Sequence, residues 1–241
     1  MLCIDLFCGL GGWAEGFLAE GYEVIGFDIE RRPYPGQLVL QDVLTLHGSQ
    51  FKDATVIVAS PPCQAYSYRA MPWKRAKALP PPDNSLFEAC FRIQREASEA
   101  AGRYIPLVVE NVKGAQPWVG RARWHYGSFY LWGDVPALMP LTVGRKNGGG
   151  SWFAVAHNTE SGTSRNPVNG IKHGGDWFSG YGGGFGRDHS QMRQHSSKSP
   201  ARKQASAEIA KIPFDLANHI ARVYGPTKVS KPNRVLSKPE E

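Results

Sequence analysis

The sequence predicts an α/β fold: a parallel sheet covered by helices on both faces. Three observations carry that expectation. The first 111 residues alternate short apolar runs with helical patterns. The runs are rich in β-branched residues and nearly continuous, as strands buried on both faces require. A chain of 241 residues with 41% hydrophobic content is also long enough to bury a real core.

The elements follow in order. "LCIDLF" reads as a buried strand. "GGWAEGFLAEG" sets Trp13, Phe17 and Leu18 on one helical face and closes at Gly21. "EVIGFDI" and "ATVIVAS" are further strands. "SLFEACFRIQREASEAAG" is an amphipathic helix ended by Gly102, and "IPLVVENV" is the next strand. Between Tyr66 and Asn84 the pattern fails, in a basic, proline-terminated loop of the kind that is usually functional or mobile. "GSFYLWG" reads as one more strand. From Thr142 to about Pro200 glycine, serine, histidine, arginine and aromatic residues dominate without any period, which reads as a loop-rich insertion. A helix resumes at "SAEIAKIPFDLANHIARVYG" and a polar tail follows. The expected organisation is therefore 1–141, an insertion at 142–204, a returning helix at 205–225 and a tail at 226–241.

Lys and Arg exceed Asp and Glu by seven. That excess suits a polyanionic partner, nucleic acid above all, and equally suits an ordinary basic soluble protein. No apolar run approaches the ~20 residues of a membrane span, and the start shows no signal-peptide pattern. The four cysteines form no CxxC pair and the seven histidines show no metal spacing. A reduced cytoplasmic protein without metal or membrane contact is expected.

In an open parallel sheet, ligands bind beyond the carboxyl ends of the strands. The residues found there are informative. Gly9, Gly11 and Gly12 follow the first strand, where small residues let the backbone approach a ligand; the full GxGxxG spacing is missing, so a dinucleotide is not favoured. Asp28 follows the second, as an acid that commonly holds ribose hydroxyls. Asp42 follows the third strand position and, taken singly, is equally a cap or a surface group. After "VIVASPP" comes Cys63: two prolines force a stiff, non-helical exit and hold a thiol at the sheet's rim. Cys3, Cys8 and Cys90 read as buried structural cysteines. Glu110 ends the run "PLVVE" on the same rim.

These residues in this order resemble the cytosine-C5 DNA methyltransferases. "DLFCGLGGWAEGF" is similar to the family's first motif, "GFDI" to the second, "QDV" to the third, "SPPCQAYS" to the Pro-Cys-Gln nucleophile motif, "NSLFEACFRI" to the next cofactor motif and "VENV" to Glu-Asn-Val. The resemblance implies a Rossmann-like S-adenosylmethionine-dependent methyltransferase sheet, S-adenosyl-L-methionine as cofactor and double-stranded DNA as partner. It assigns the cofactor to Phe7, Gly9, Gly11, Gly12, Asp28, Ile29, Asp42, Val43, Pro62 and Leu86. It makes Cys63 the nucleophile toward carbon 6 of a flipped-out cytosine, with Glu110 holding the base. The loop 65–84 is similar to the family's mobile loop. Gln64, Ser67, Arg69, Trp73, Lys74 and Arg75 are then expected to contact nucleic acid, and Arg145, Arg165, Arg187 and Arg193 in the insertion to read it.

The chain departs from the family in two places. Gln-x-Arg-x-Arg normally stands well downstream of Glu-Asn-Val; here "VGRARW" follows almost at once, and Arg123, then Arg121, are expected at the cytosine oxygen or an adjacent phosphate. The closing Gly-Asn-Ser is absent, and "EIAKIP" occupies that region. The expected protein is a compact, phage-like, monomeric DNA methyltransferase of the kind found in restriction–modification. Two rivals share its fold: an RNA cytosine-C5 methyltransferase, as in the family's tRNA-modifying branch, and a non-catalytic nucleic-acid-binding regulator.

Overall fold

The computed structural model describes residues 1–70, 74–139, 207 and 210–226. Within them runs one seven-stranded sheet: β1 (Leu2–Leu6), β2 (Glu23–Asp28), β3 (Gln37–Leu40), β4 (Val56–Ala59), β5 (Leu107–Asn111), β6 (Trp124–Tyr126) and β7 (Phe129–Gly133). The spatial order is β3-β2-β1-β4-β5-β7-β6. The first five strands are parallel, and β7 runs antiparallel to both β5 and β6. The order reverses between β1 and β4, and such a switch point opens a crevice beyond the strands' carboxyl ends.

Alternation along each strand divides the core. Ile4, Leu6, Ile57, Ala59, Leu107 and Val109 face one layer, where α4 (Ser85–Ala101) packs through Ile93 and Ala97. Cys3, Val24, Val56, Val58 and Val108 face the other. There α1 (Gly12–Ala19) contributes Trp13 and Phe17, and α6 (Phe214–Tyr224) contributes Leu216, Ala217 and Ile220. Burying each such large side chain is worth about 1.5–3 kcal/mol. The close approach of α1 and α6 requires glycine: a Cβ on Gly16 would lie 2.4 Å from the Asn218 backbone nitrogen. Leu18, expected on the buried face of α1, is exposed, because it lies beyond the stripe that Trp13 and Phe17 define.

The basic loop is partly helical. It contains α2 (Gln64–Arg69) and α3 (Lys74–Lys77). A short α5 (Gln116–Val119) follows β5. "GSFYLWG" forms β7, but a strand precedes it: Gly127, with φ +60°, turns β6 into β7 as a hairpin. The returning helix was expected from 205. Residues 211–213 are not helical and α6 starts at Phe214, since Pro213 sits at its N-cap and supplies no amide hydrogen for a continuous helix. The chain climbs back beside α6, where the Leu138 carbonyl accepts from His219 Nε2 (2.8 Å) and Tyr224 donates to the Asp134 carbonyl. The insertion 142–204, the tail beyond Pro226, Trp73, Arg145, Arg165, Arg187, Arg193 and the side chain of Arg75 lie outside the described residues.

Candidate active site

Strand register brings the loops together. Leu6 on β1 pairs with Ala59 on β4, and Ala59 pairs with Val109 on β5. The three loops that follow are therefore neighbours: the glycine turn, the Pro-Pro-Cys turn and the Glu-Asn exit of β5. Two side chains lock them. Trp13 Nε1 donates to Ser60 Oγ at 3.0 Å, joining α1 to the Pro-Pro-Cys turn. Asn111, 1% exposed, donates through Nδ2 to the Pro61 carbonyl at 2.9 Å, joining that turn to β5.

Cys63 stands at the N-cap of α2, and its carbonyl accepts from Tyr66 and Ser67 N–H. It is half-buried, whereas Cys3, Cys8 and Cys90 are buried. Burial pushes those three thiols up, so they stay protonated and unreactive. Glu110 is 8% exposed on β5. α2 is anchored by Tyr66, whose hydroxyl donates to Asn84 Oδ1 at 3.0 Å, and Asn84 Nδ2 donates to the Trp118 carbonyl.

The glycine turn has a left-handed backbone at Phe7 (φ 58°), Gly9 and Gly11. For phenylalanine that conformation costs about 1–2 kcal/mol. Its glycines serve different ends. A Cβ on Gly9 would meet nothing within 4 Å, so this face is open to a ligand. On Gly11 it would strike Pro35 at 2.4 Å, and on Gly12 the Ile212 backbone at 2.5 Å. Asp28 Oδ2 accepts from Gly9 N–H (3.0 Å) and Oδ1 from Glu30 N–H (2.9 Å), tying β2's exit to the turn. Asp42 is exposed and caps the 3-10 turn Val43–Thr45 by accepting from Leu44 N–H; Val43 is buried beneath it. Ile29 is exposed beside Asp28, Pro62 is exposed and Leu86 is half-buried. The open Gly9 face and the flanking carboxylates fit a cofactor with a ribose and a cationic centre.

Asp5, one step behind the turn, is fully buried. Tyr34 donates to its Oδ2 at 3.0 Å, and its Oδ1 meets no partner among the described residues. Burial pushes this carboxyl up to about 8; the Asp28 charge adds to the rise and the Tyr34 bond opposes it. An unfolded aspartate titrates near 4. The folded state thus holds the extra proton between roughly pH 4 and 8, so this group's contribution to stability falls as pH rises through that window. The unfolding free energy from urea titration is expected to decline between about pH 4 and 8 and to level off above, with a slope of up to about 1.4 kcal/mol per pH unit from this group. In Asp5→Asn the same window should be flatter; parallel profiles would contradict the assignment.

The remaining expected contacts are scattered. Gln64 and Lys74 are exposed and Ser67 is half-buried. Arg69 clasps its own loop, donating to the carbonyls of Pro80 (2.9 Å) and Ala65 (2.8 Å). Arg121 and Arg123 are exposed ahead of β6, and β7 separates that strand from β5. The Arg123 charge acts on Tyr104, which precedes β5 and donates to Asp134, at the edge of the sheet opposite the rim. The motif reading expects these arginines at the cytosine oxygen or an adjacent phosphate; in the sheet they stand ahead of β6, with β7 between that strand and the one that bears Glu110. The sequence reading gave no role to Asn111 or Asp5, and Asn111 was visible only as the centre of "ENV". An open cleft of about 770 Å³ lies elsewhere, between α4, Leu44 and Trp118, and none of the expected catalytic residues lines it.

A glycine turn after β1, an acid after β2 and a Pro-Pro-Cys turn after β4, at the switch point of this strand order, define a Rossmann-like α/β fold. Residues 1–117 match the family model described as C-5 cytosine-specific DNA methylase. No curated protein matches the chain. Solved structures similar to it include the S. pombe Dnmt2 methyltransferase, at 16% identity and TM-score 0.36 over 49% of this chain and 36% of that one. A DNA modification methyltransferase encoded within an E. coli prophage matches at 24% identity and TM-score 0.34, over 48% and 33%. The Entamoeba histolytica methyltransferase EhMeth matches at 16% and 0.36, over 49% and 40%. The match spans well under half the length of each of these chains. Among the described residues no helix is long and apolar enough to cross a membrane, and no cluster of metal-binding side chains occurs.

Proposed function

We propose that the protein is a DNA (cytosine-5)-methyltransferase that works through a covalent Cys63 adduct. The observation that carries this is the Asn111–Pro61 hydrogen bond, which ties the Pro-Pro-Cys turn to the strand bearing Glu110. Cytosine resists direct methylation because its carbon 5 is a poor nucleophile. Addition of the Cys63 thiolate at carbon 6 breaks the aromatic ring and gives carbon 5 enamine character. Negative charge gathers on N3 as that bond forms. Glu110 supplies a proton there and accepts from the exocyclic amine, in a site largely shielded from water. S-adenosyl-L-methionine, when bound, supplies the methyl group. Loss of the carbon-5 proton and departure of Cys63 restore the ring. The open face of Gly9 admits the cofactor, Asp28 and Asp42 bind its sugar and base, and Phe7, Ile29, Val43, Pro62 and Leu86 form apolar walls. A stacked base cannot meet this geometry, so the cytosine is extruded from the duplex.

The test offers duplex DNA and tRNA together with cofactor labelled in the methyl group. Label is expected in DNA, at carbon 5 of cytosine. Label in tRNA alone would replace DNA with RNA as substrate. Binding of DNA without transfer to either would favour the regulator.

A further inference from the structure

β2 and β3 are parallel neighbours, and the return between two such strands usually takes a dozen or more residues, most often as a helix. Here residues 29–36 alone make the return, and none of them is helical. They run from the level of Asp28, which pairs with Leu40, back to that of Ile25, which pairs with Gln37. Exposed and half-buried residues alternate along Arg31–Gly36, as in an extended strap laid on a surface. Tyr34 is its inward anchor and packs against the layer that holds Cys3, Trp13 and Val24. Asp5 on β1 and Gly26 on β2 are paired in register. A Cβ on Gly26 would lie 2.7 Å from Tyr34 Oη, so the missing side chain lets the hydroxyl cross β2 and reach Asp5 Oδ2. The strap also meets the glycine turn directly: a Cβ on Gly11 would lie 2.4 Å from Pro35 Cδ and 3.1 Å from Tyr34 Cδ2. Burial holds the Tyr34 phenol protonated, so it stays a donor, and Asp5 has no second side-chain partner among the described residues.

We propose that Tyr34 is a positioning residue for the cofactor: its bond to Asp5 and its ring beside Gly11 set the shape of the turn from Phe7 to Gly11. The inference rests on the cofactor reading above. Tyr34 acts from behind the turn, through Asp5, and its role requires no contact with the ligand. Asp5 stands two residues before Phe7, whose left-handed backbone persists only when its surroundings hold it. Asp28 fixes the same turn from β2 through Gly9 N–H, and the strap fixes it at Asp5 and Gly11. A turn set in advance does not have to be ordered when the cofactor binds, and affinity is higher by the ordering cost avoided. Without the Tyr34 hydroxyl, that cost returns at each binding event.

Calorimetry with S-adenosylhomocysteine tests this, at a temperature where urea titration shows each variant folded. Tyr34→Phe keeps the ring in its place and removes one oxygen. It is expected to weaken S-adenosylhomocysteine about tenfold. Asp5→Leu breaks the same bond from the other side and should cost about as much. The two together should cost little more than either alone, because they share one interaction. Asp5→Asn still offers an oxygen to the Tyr34 hydroxyl, so it should bind within about threefold of native. A contact that only adds stability would lower the urea midpoint in these variants and leave the affinity of the folded protein as it was. The proposal is overturned if Tyr34→Phe binds S-adenosylhomocysteine within about twofold of native. It is equally overturned if the two losses multiply in the double variant, or if Asp5→Asn loses as much as Asp5→Leu. A native protein that does not bind S-adenosylhomocysteine would overturn the cofactor reading itself, a result seen before any substitution is made.

Discussion

Cys63→Ser is expected to abolish methyl transfer, by more than about 10³-fold, while the fold and S-adenosylhomocysteine binding persist. A serine hydroxyl is far less ionised than a thiol at neutral pH, so carbon 6 is never attacked and carbon 5 stays inert. The substitution removes one sulfur from a half-buried N-cap whose carbonyl, not its side chain, makes the backbone bonds to Tyr66 and Ser67. Circular dichroism and the thermal midpoint should therefore match the native protein. Duplex DNA carrying 5-fluorocytosine gives a second reading. The fluorine cannot leave as the proton does, so a covalent complex should accumulate with Cys63 and be missing from the serine variant. Turnover near the native rate in Cys63→Ser would remove the nucleophile from the proposal. Cys3, Cys8 and Cys90 are poor substitutes, being buried with their thiols pushed up.

Glu110→Gln should lower kcat by roughly 10²–10⁴ with a much smaller change in KM. The amide keeps the shape of the carboxyl group and still offers a donor to N3 and an acceptor to the exocyclic amine. Ground-state recognition of the base survives on that account. Glutamine has no proton to give when charge builds on N3, and the loss falls on the transition state. Glu110 is buried, so its replacement by an isosteric neutral group leaves no cavity. Steady-state kinetics on a short duplex measure the split. An equal rise in KM with kcat preserved would assign Glu110 to binding alone.

Much of this arrangement is written in the chain, and the reasons for the rest are physical. The strands are legible because runs such as "VIVA" and "LVVEN" are buried on both faces, a demand that only continuous apolar residues meet. Cys63 is legible because two prolines leave few backbone choices before it. The glycines misled in part. Sequence reading gave Gly9, Gly11 and Gly12 one purpose, approach to a ligand; Gly9 alone opens to free space, while Gly12 makes room for a segment 200 residues away in the chain. Arg121 and Arg123 were read by motif spacing, and the Gly127–Ser128 turn between two aromatic runs was the overlooked hairpin signal. The Asn111–Pro61 bond joins residues 50 apart, and no local pattern encodes it.

The sheet ends in two short margins. β3 has four residues and β6 has three, and between them lie the five strands paired on both sides. Among the described residues, edge rows this brief offer little template for a stray chain. Short borders of this kind let a sheet keep a long apolar platform at less risk of edge-to-edge pairing than full-length borders would carry.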